Sequence, residues 1–350
     1  MREKIRVGIT HGDINGIGYH VIIKTLQDPR VNEFCTPIVY GSPKVAAYHR
    51  KALNINNFSL NNIKRAEDAN PKRSNIINCV DENIRVEFGK STEAAGESSL
   101  LALQRAVEDL KNNRIDVLVT APINKSNMPV KLFPYSGHTE YFEKEFDADG
   151  TVMLMISDIM KVGVVTGHIP LSEIPARLTT ELILKKLHIL NRSLINDFTI
   201  RKPRIAVTGL NPHAGEEGLL GTEEKEIIEP AIRKARDEGI MALGPYSADG
   251  LFGNPDFVRF DAILAMYHDQ GLTPFKALCF NSGVNYTAGL PFVRTSPVHG
   301  TAFDLAGKNE ASESSFRNAL YMACDIYARS TENYELSKNP MKHYDIENIQ

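Results

Sequence analysis

Three histidines in this chain each follow an apolar run: His168 closes VGVVTGH, His213 closes RIAVTGLNPH and His268 closes DAILAMYH. Three imidazoles plus an open position are a common arrangement for a catalytic divalent metal. Nitrogen ligands suit zinc and other first-row ions. The separations are 45 and 55 residues, so no local motif such as HExxH links them. Spacing alone leaves a second reading open, in which each is a hydrogen-bonded loop histidine. Asp269 adjoins His268, and NPHAGEEG sets two carboxylates near His213. Carboxylates of this kind orient imidazoles, but the same residue types also build turns.

A second group could hold an anion. Lys276, Asn285 and Arg294 fall in TPFKALCFNSGVNYTAGLPFVRTS, and His138 and Thr139 fall in SGHTEYF. Lysine and arginine bind phosphate or carboxylate, arginine in bidentate fashion. Taken singly, each also reads as a solvated charge. Arg294 fits that bland reading least, because LPFV precedes it. The glycines of GDINGIG (12–18) are spaced GxxxGxG, and no GxxxxGK[ST] occurs. The usual dinucleotide and P-loop fingerprints are therefore absent. The loop still leads into a helical pattern, where it either receives an anion at the helix N-terminus or serves as a plain turn.

The elements that would position these residues alternate along the chain. IRVGIT (5–10), TPIVYG (36–41), IDVLVTAP (115–122), VGVVTGH (162–168), RIAVTGLNPH (204–213) and DAILAMYH (261–268) read as strands, the last being the final clear core strand. Helical patterns lie between them, notably 93–113, near 179–191 and after Thr222, a candidate N-cap. This alternation predicts an α/β fold with parallel or mixed sheets covered by helices. Ligands in such folds bind beyond the carboxyl ends of strands, where His168, His213, His268 and also Lys125 would stand.

The chain has 350 residues, 42% hydrophobic and 24% charged. That suits two domains or one large α/β unit. A formal charge of -3 gives no general attraction to nucleic acid or to an anionic membrane, so anion binding must be local. No apolar run of about 18 residues occurs, which predicts no membrane span. Cys35, Cys79, Cys279 and Cys324 are scattered without a CxxC pair, as expected of free thiols in a reducing cytoplasm. The polar stretch 330–350 reads as a surface tail.

Six segments resemble the 4-hydroxythreonine-4-phosphate dehydrogenase (PdxA) family: THGDINGIG (10–18), VTAPINK (119–125), GHTEYF (137–142), GLNPHAGEEGLLGTEE (209–224), AMYHDQGLTPFK (265–276) and GVNYTAGLPFVRTSPVHGTAFDLAGK (283–308). They span nearly the whole chain in order. The resemblance implies a two-domain fold similar to isopropylmalate and isocitrate dehydrogenases. Residues 1–140 plus 300–350 would form the cofactor side, and 141–299 the metal and dimer side. It implies a homodimer with a divalent metal held by His168, His213 and His268 across the subunit interface. Zinc leads magnesium, cobalt and manganese on ligand type. Substrate contacts are implied for His138, Thr139, Lys276, Asn285 and Arg294. NAD or NADP would lie along PVHGTAFDLAGKN (297–309), with His299, Gly300, Asp304 and Asn309 as contacts. Lys276, Asp269 and Asp249 are the candidates for proton transfer.

The implied reaction is NAD(P)-dependent oxidation of 4-phosphooxy-L-threonine, followed by loss of carbon dioxide, in vitamin B6 synthesis. His11 and Ile14 stand where the family's first loop commonly carries prolines. Such departures leave room for a related phosphorylated hydroxy acid, such as 4-phosphoerythronate. A three-histidine zinc hydrolase and a non-enzymatic sugar-phosphate or nucleotide binder are the rivals from other classes.

Overall fold

The computed structural model describes residues 4–338. Twelve strands form one sheet: β1 Ile5–Thr10, β2 Cys35–Gly41, β3 Asn61–Ile63, β4 Asn75–Asn78, β5 Val117–Thr120, β6 Val152–Ile156, β7 Lys161–Thr166, β8 Arg204–Thr208, β9 Met241–Tyr246, β10 Ala262–Tyr267, β11 Val284–Ala288 and β12 Val293–Pro297. Their order is β3-β4-β2-β1-β5-β12-β11-β6-β7-β10-β8-β9. One end, from β3 to β12, is parallel throughout. The other end, from β7 to β9, is also parallel throughout. Between them, β11 and β6 run antiparallel to their neighbours. The expected mixed sheet is therefore present.

The apolar content of the strands explains their burial. All seven residues of β2 are buried, and so are the four of β5. Continuous burial of this kind requires helices on both faces. Helix Glu93–Lys111 starts at Thr92, whose hydroxyl accepts from Ala95 N at 3.3 Å. It buries Leu100, Leu103, Ala106 and Val107 with Ile38 and Leu118 of the sheet. Helix Thr180–Asn196 is capped in the same way by Thr179. Such caps satisfy orphan N–H groups and stabilise a helix by about 1 kcal/mol. Helix Ser314–Ser337 lays Phe316, Ala319, Leu320 and Ala323 into the core.

Three expectations need correction. DAILAMYH is not the final core strand, because β11 and β12 follow it. Their runs are short and interrupted by Asn, Thr and Arg, which hid them from a search for apolar continuity. Thr222 does not cap with its side chain; the helical segment begins at Glu224–Ile228 as a wider turn after Glu223. The stretch 330–350 is not wholly a tail, since the long helix runs to Ser337; its last twelve residues lie outside the described part. The four cysteines are free thiols. No helix among the described residues is long and apolar enough to cross a membrane.

Candidate active site

The clamp that positions His268 begins at the residues after it. Gln270 Oε1 accepts from Met266 N at 2.7 Å and from Thr208 Oγ1 at 2.8 Å. Its Nε2 donates to Gly209 O at 2.7 Å. One side chain thus ties the ends of β8 and β10. Thr166 Oγ1 adds β7 by donating to Met266 O at 2.8 Å. Gly271 completes the corner: a Cβ there would come within 2.9 Å of Val162 Cγ1. Helix His268–Cys279 therefore starts directly from β10.

This corner brings His168 and His268 together, with ring centroids 5.4 Å apart. Both line a cavity of about 280 Å³. Asp269 Oδ1 lies 2.6 Å from His268 Nδ1, which fixes that nitrogen as the protonated one and leaves Nε2 free. Burial, together with the nearby Lys125 charge, lowers the pKa of His168. The His168 ring can thus offer a lone pair, and His268 offers one at Nε2 in its neutral form.

Across the cavity stand the anion-binding candidates. His138, Thr139, Lys276, Asn285 and Arg294 all line it. Arg294 is 3% exposed. Its Nη2 donates to Thr120 Oγ1 at 2.6 Å and its Nη1 to Thr287 Oγ1 at 3.1 Å. No carboxylate pairs with it among the described residues, and burial lowers its pKa to about 9. The Phe142 ring lies under the guanidinium at 5.9 Å, and the Glu140 carboxylate acts on it without reaching ion-pair distance; a desolvated charge held this loosely is costly unless a counter-ion arrives. Burial and the charges of Arg294 and Lys125 hold the His138 imidazole neutral. Helix His138–Glu145 opens on the cavity, and its N-terminal dipole favours negative charge.

Four buried polar atoms on the residues that line this cavity have no hydrogen-bond partner: His138 Nε2, Glu140 Oε2, Asn285 Oδ1 and His299 Nε2. Buried polar groups are normally paired. Four orphans around one space offer a polar ligand or bound water four hydrogen-bonding positions.

The remaining candidates lie elsewhere. His213 is exposed and does not line the cavity. It sits in a left-handed turn in which every residue from 213 to 217 has φ between 42° and 78°, an arrangement that costs roughly 1–2 kcal/mol for each non-glycine residue. Glu224 braces the turn, accepting from Leu210 N at 2.7 Å and Asn211 N at 2.8 Å. Asp249 is near enough to His213 for the histidine to help lower its pKa, although the Ser247 hydroxyl is the larger cause. Asp249 and Asp269 are absent from the cavity wall. Among the described residues, no group of three or more His, Cys, Asp or Glu side chains is placed to hold a metal. One chain thus presents two of the three imidazoles at the cavity.

His299 and Gly300 line the cavity, whereas Asp304 and Asn309 are exposed beyond it. A Cβ on Gly300 would meet nothing within 4 Å. The strip is held from behind, where Ile17 N donates to Thr301 O at 3.0 Å. GDINGIG therefore buttresses the 297–309 loop and lies outside the cavity wall. Glu140 and Met155 also line the wall without being candidates in the sequence; Glu140 lies inside GHTEYF, where nothing local marks its carboxylate as free.

The profile of the family described as pyridoxal phosphate biosynthetic protein PdxA matches residues 33–323. A 4-hydroxythreonine-4-phosphate dehydrogenase from Bacteroides thetaiotaomicron is 53% identical over 97% of this chain and 93% of its own length. A protein from Oceanobacillus iheyensis with the provisional name D-threonate 4-phosphate dehydrogenase is 37% identical over 93% of this chain and 99% of its own. The crystal structure of the Klebsiella pneumoniae 4-hydroxythreonine-4-phosphate dehydrogenase superposes with a TM-score of 0.81 at 32% identity, covering 93% and 98% of the two chains. Isocitrate dehydrogenase from Methylococcus capsulatus shares the fold at 12% identity and a TM-score of 0.51, covering 95% and 89%. This chain belongs to the PdxA family of pyridoxal phosphate biosynthetic proteins.

Proposed function

We propose that this protein is a cytoplasmic, metal-dependent oxidoreductase acting in pyridoxal 5'-phosphate biosynthesis. Its substrate is 4-phosphooxy-L-threonine, oxidised with NAD or NADP to 2-amino-3-oxo-4-phosphooxybutanoate. That β-keto acid decarboxylates to 3-amino-2-oxopropyl phosphate. The observation that carries this reading is Arg294, a buried guanidinium that no carboxylate pairs among the described residues, facing a cavity ringed by unpartnered polar atoms. The relatives named as 4-hydroxythreonine-4-phosphate dehydrogenases support it.

Arg294 and Lys276 hold the phosphate and carboxylate, with His138 Nε2, Thr139 and Asn285 Oδ1 fixing the substrate's orientation. His168 and His268 would hold a divalent metal, zinc by ligand type, and His213 from a second copy would complete the set. The exposed, left-handed position of His213 suits a ligand given to a partner rather than to its own cavity. When bound, the metal supplies positive charge at the substrate hydroxyl, and the nicotinamide accepts the electrons. His299 and Gly300 stand where the nicotinamide end would enter, and Asp304 and Asn309 follow the cofactor outward. The cofactor side would draw on residues 1–140 plus 300–350, and the metal and dimer side on 141–299.

The test follows reduced nicotinamide with 4-phosphooxy-L-threonine, using metal-stripped protein with and without added divalent ions. Turnover that depends on metal is expected. Folded protein that stays inactive with every metal and both nicotinamides would overturn the reading. A second substrate, a phosphorylated hydroxy acid lacking the amine such as D-threonate 4-phosphate or 4-phosphoerythronate, is favoured by the name of the Oceanobacillus relative. Comparing kcat/KM across these compounds decides between the two.

A further inference from the structure

We propose that Lys125 is the residue that carries the proton of this reaction: its Nζ takes the proton from the hydroxyl being oxidised and returns it to the carbon that loses carbon dioxide. The proposal rests on the substrate reading above.

Three observations lead to Lys125. First, it lines the cavity at the end of the loop leaving β5, yet it makes no hydrogen bond or ion pair among the described residues. Second, it is near enough to both ends of the site for its charge to be felt at each. Its charge acts on His138 at the anion-binding end and on His168 at the imidazole pair. Third, it shares a gap with Glu140. The point where a Cβ of Gly137 would lie is 3.4 Å from Glu140 Oε2, 3.4 Å from Lys125 Cε and 3.5 Å from Lys125 Nζ. Gly137 leaves that space open, and the carboxylate and the amine both border it without forming an ion pair. An ion pair would hold the ammonium permanently; the open gap lets the carboxylate favour the ammonium while it lasts.

The surroundings suit a lysine that cycles. Lys125 is exposed on one side; its partial desolvation against the cavity lowers its pKa, and Glu140 partly restores it. The titratable and charged groups facing it are Glu140, His138 and His168. A lysine whose pKa lies below its ordinary value gives up its proton more readily, so its amine can act as a base and its ammonium as an acid.

The proton count supports a single carrier. Oxidation at the hydroxyl-bearing carbon sends its hydrogen and an electron pair to the nicotinamide and the hydroxyl proton to Nζ. Decarboxylation breaks the bond to the carboxylate carbon and leaves that electron pair on the adjacent carbon. That carbon needs one proton, and the new ammonium of Lys125 holds one. The two steps together release no net proton, and the amine is regenerated. Lys276 then remains free to hold an anionic group.

The experiment compares wild-type, Lys125→Arg and Lys125→Ala as full-length, metal-loaded protein. Arginine keeps the charge but gives up no proton. Both variants are expected to lose about 100-fold or more in kcat, with KM and calorimetric substrate binding without nicotinamide changed by less than about threefold. Added methylamine should partly restore Lys125→Ala, more strongly as pH rises. Near wild-type kcat in Lys125→Arg would overturn the proton role and leave only charge. Loss of substrate binding in both variants, without amine rescue, would make Lys125 a binding residue instead. Inactive wild-type protein would overturn the substrate reading and this role with it.

Discussion

His168 and His268 face each other with ring centroids 5.4 Å apart because β7 and β10 are in register, Thr166 opposite Tyr267. The strand pairing, not any local motif, makes the two imidazoles neighbours. Asp269 then orients His268 through Nδ1. Asp269→Asn should weaken divalent-ion affinity by about 10–100-fold, the usual cost of losing an orienting carboxylate. His268→Ala should abolish measurable binding. Competition with a chromophoric zinc chelator reads both. Binding that is unchanged in His268→Ala would remove this pair from any metal site.

Arg294 predicts a split between stability and binding. It is buried without an ion-pair partner among the described residues and held by Thr120 and Thr287. Arg294→Met should leave the melting temperature unchanged or raise it, since a desolvated charge disappears. The same change should raise KM for the phosphorylated substrate by about 100-fold, consistent with the loss of a charge-assisted bidentate contact. Inorganic phosphate should raise the melting temperature of the wild type by mass action but not that of the variant. A variant that unfolds while still binding phosphate would make Arg294 structural.

Gln270 makes a different prediction. Its amide joins Met266 N, Thr208 Oγ1 and Gly209 O. Gln270→Leu strands these groups, at about 1–3 kcal/mol for each one left buried and unsatisfied. Urea unfolding should show a loss of that order, and metal affinity should fall although Gln270 touches no ligand. Stability equal to wild type would mean that water replaces the amide.

The parallel parts of the fold were legible because their strands are continuous apolar runs, as in AILAMY and VGVVT. β11 and β12 were not, because NYT and RTS carry polar residues inward: Thr287 and Arg294 are buried to serve the cavity. The positions after strand ends made His168 and His268 legible as residues at one sheet edge, where both line the cavity. They could not show that His213 sits on a separate left-handed turn, since that depends on Glu224 bonding to the backbone from 13 and 14 residues away. Glu140 was invisible for a similar reason. A glutamate in a helical first turn usually only serves the dipole, and its free oxygen is apparent only beside the cavity.

The buried rings of His11, Tyr19, His49 and His20 run into the half-buried Phe88 as a chain with centroid spacings of 5.0–5.6 Å. His20 has neither ring nitrogen bonded, and His49 has only Nε2 bonded, to Ile14 O at 2.9 Å. Burial lowers the pKa of His11 and His20 to about 4, and of His49 well below 6.5. In the unfolded chain these rings titrate near about 6.5. Between those limits the unfolded state binds more protons than the folded one, so stability falls as pH falls. It is flat above about 7, where both states are neutral. Each histidine contributes a slope of about 1.4 kcal/mol per pH unit inside the window. His20→Phe should therefore flatten the decline by about one histidine's worth between pH values of roughly 6 and 5. Urea midpoints for both proteins across that range read the difference. Parallel curves would show that His20 enters no proton linkage.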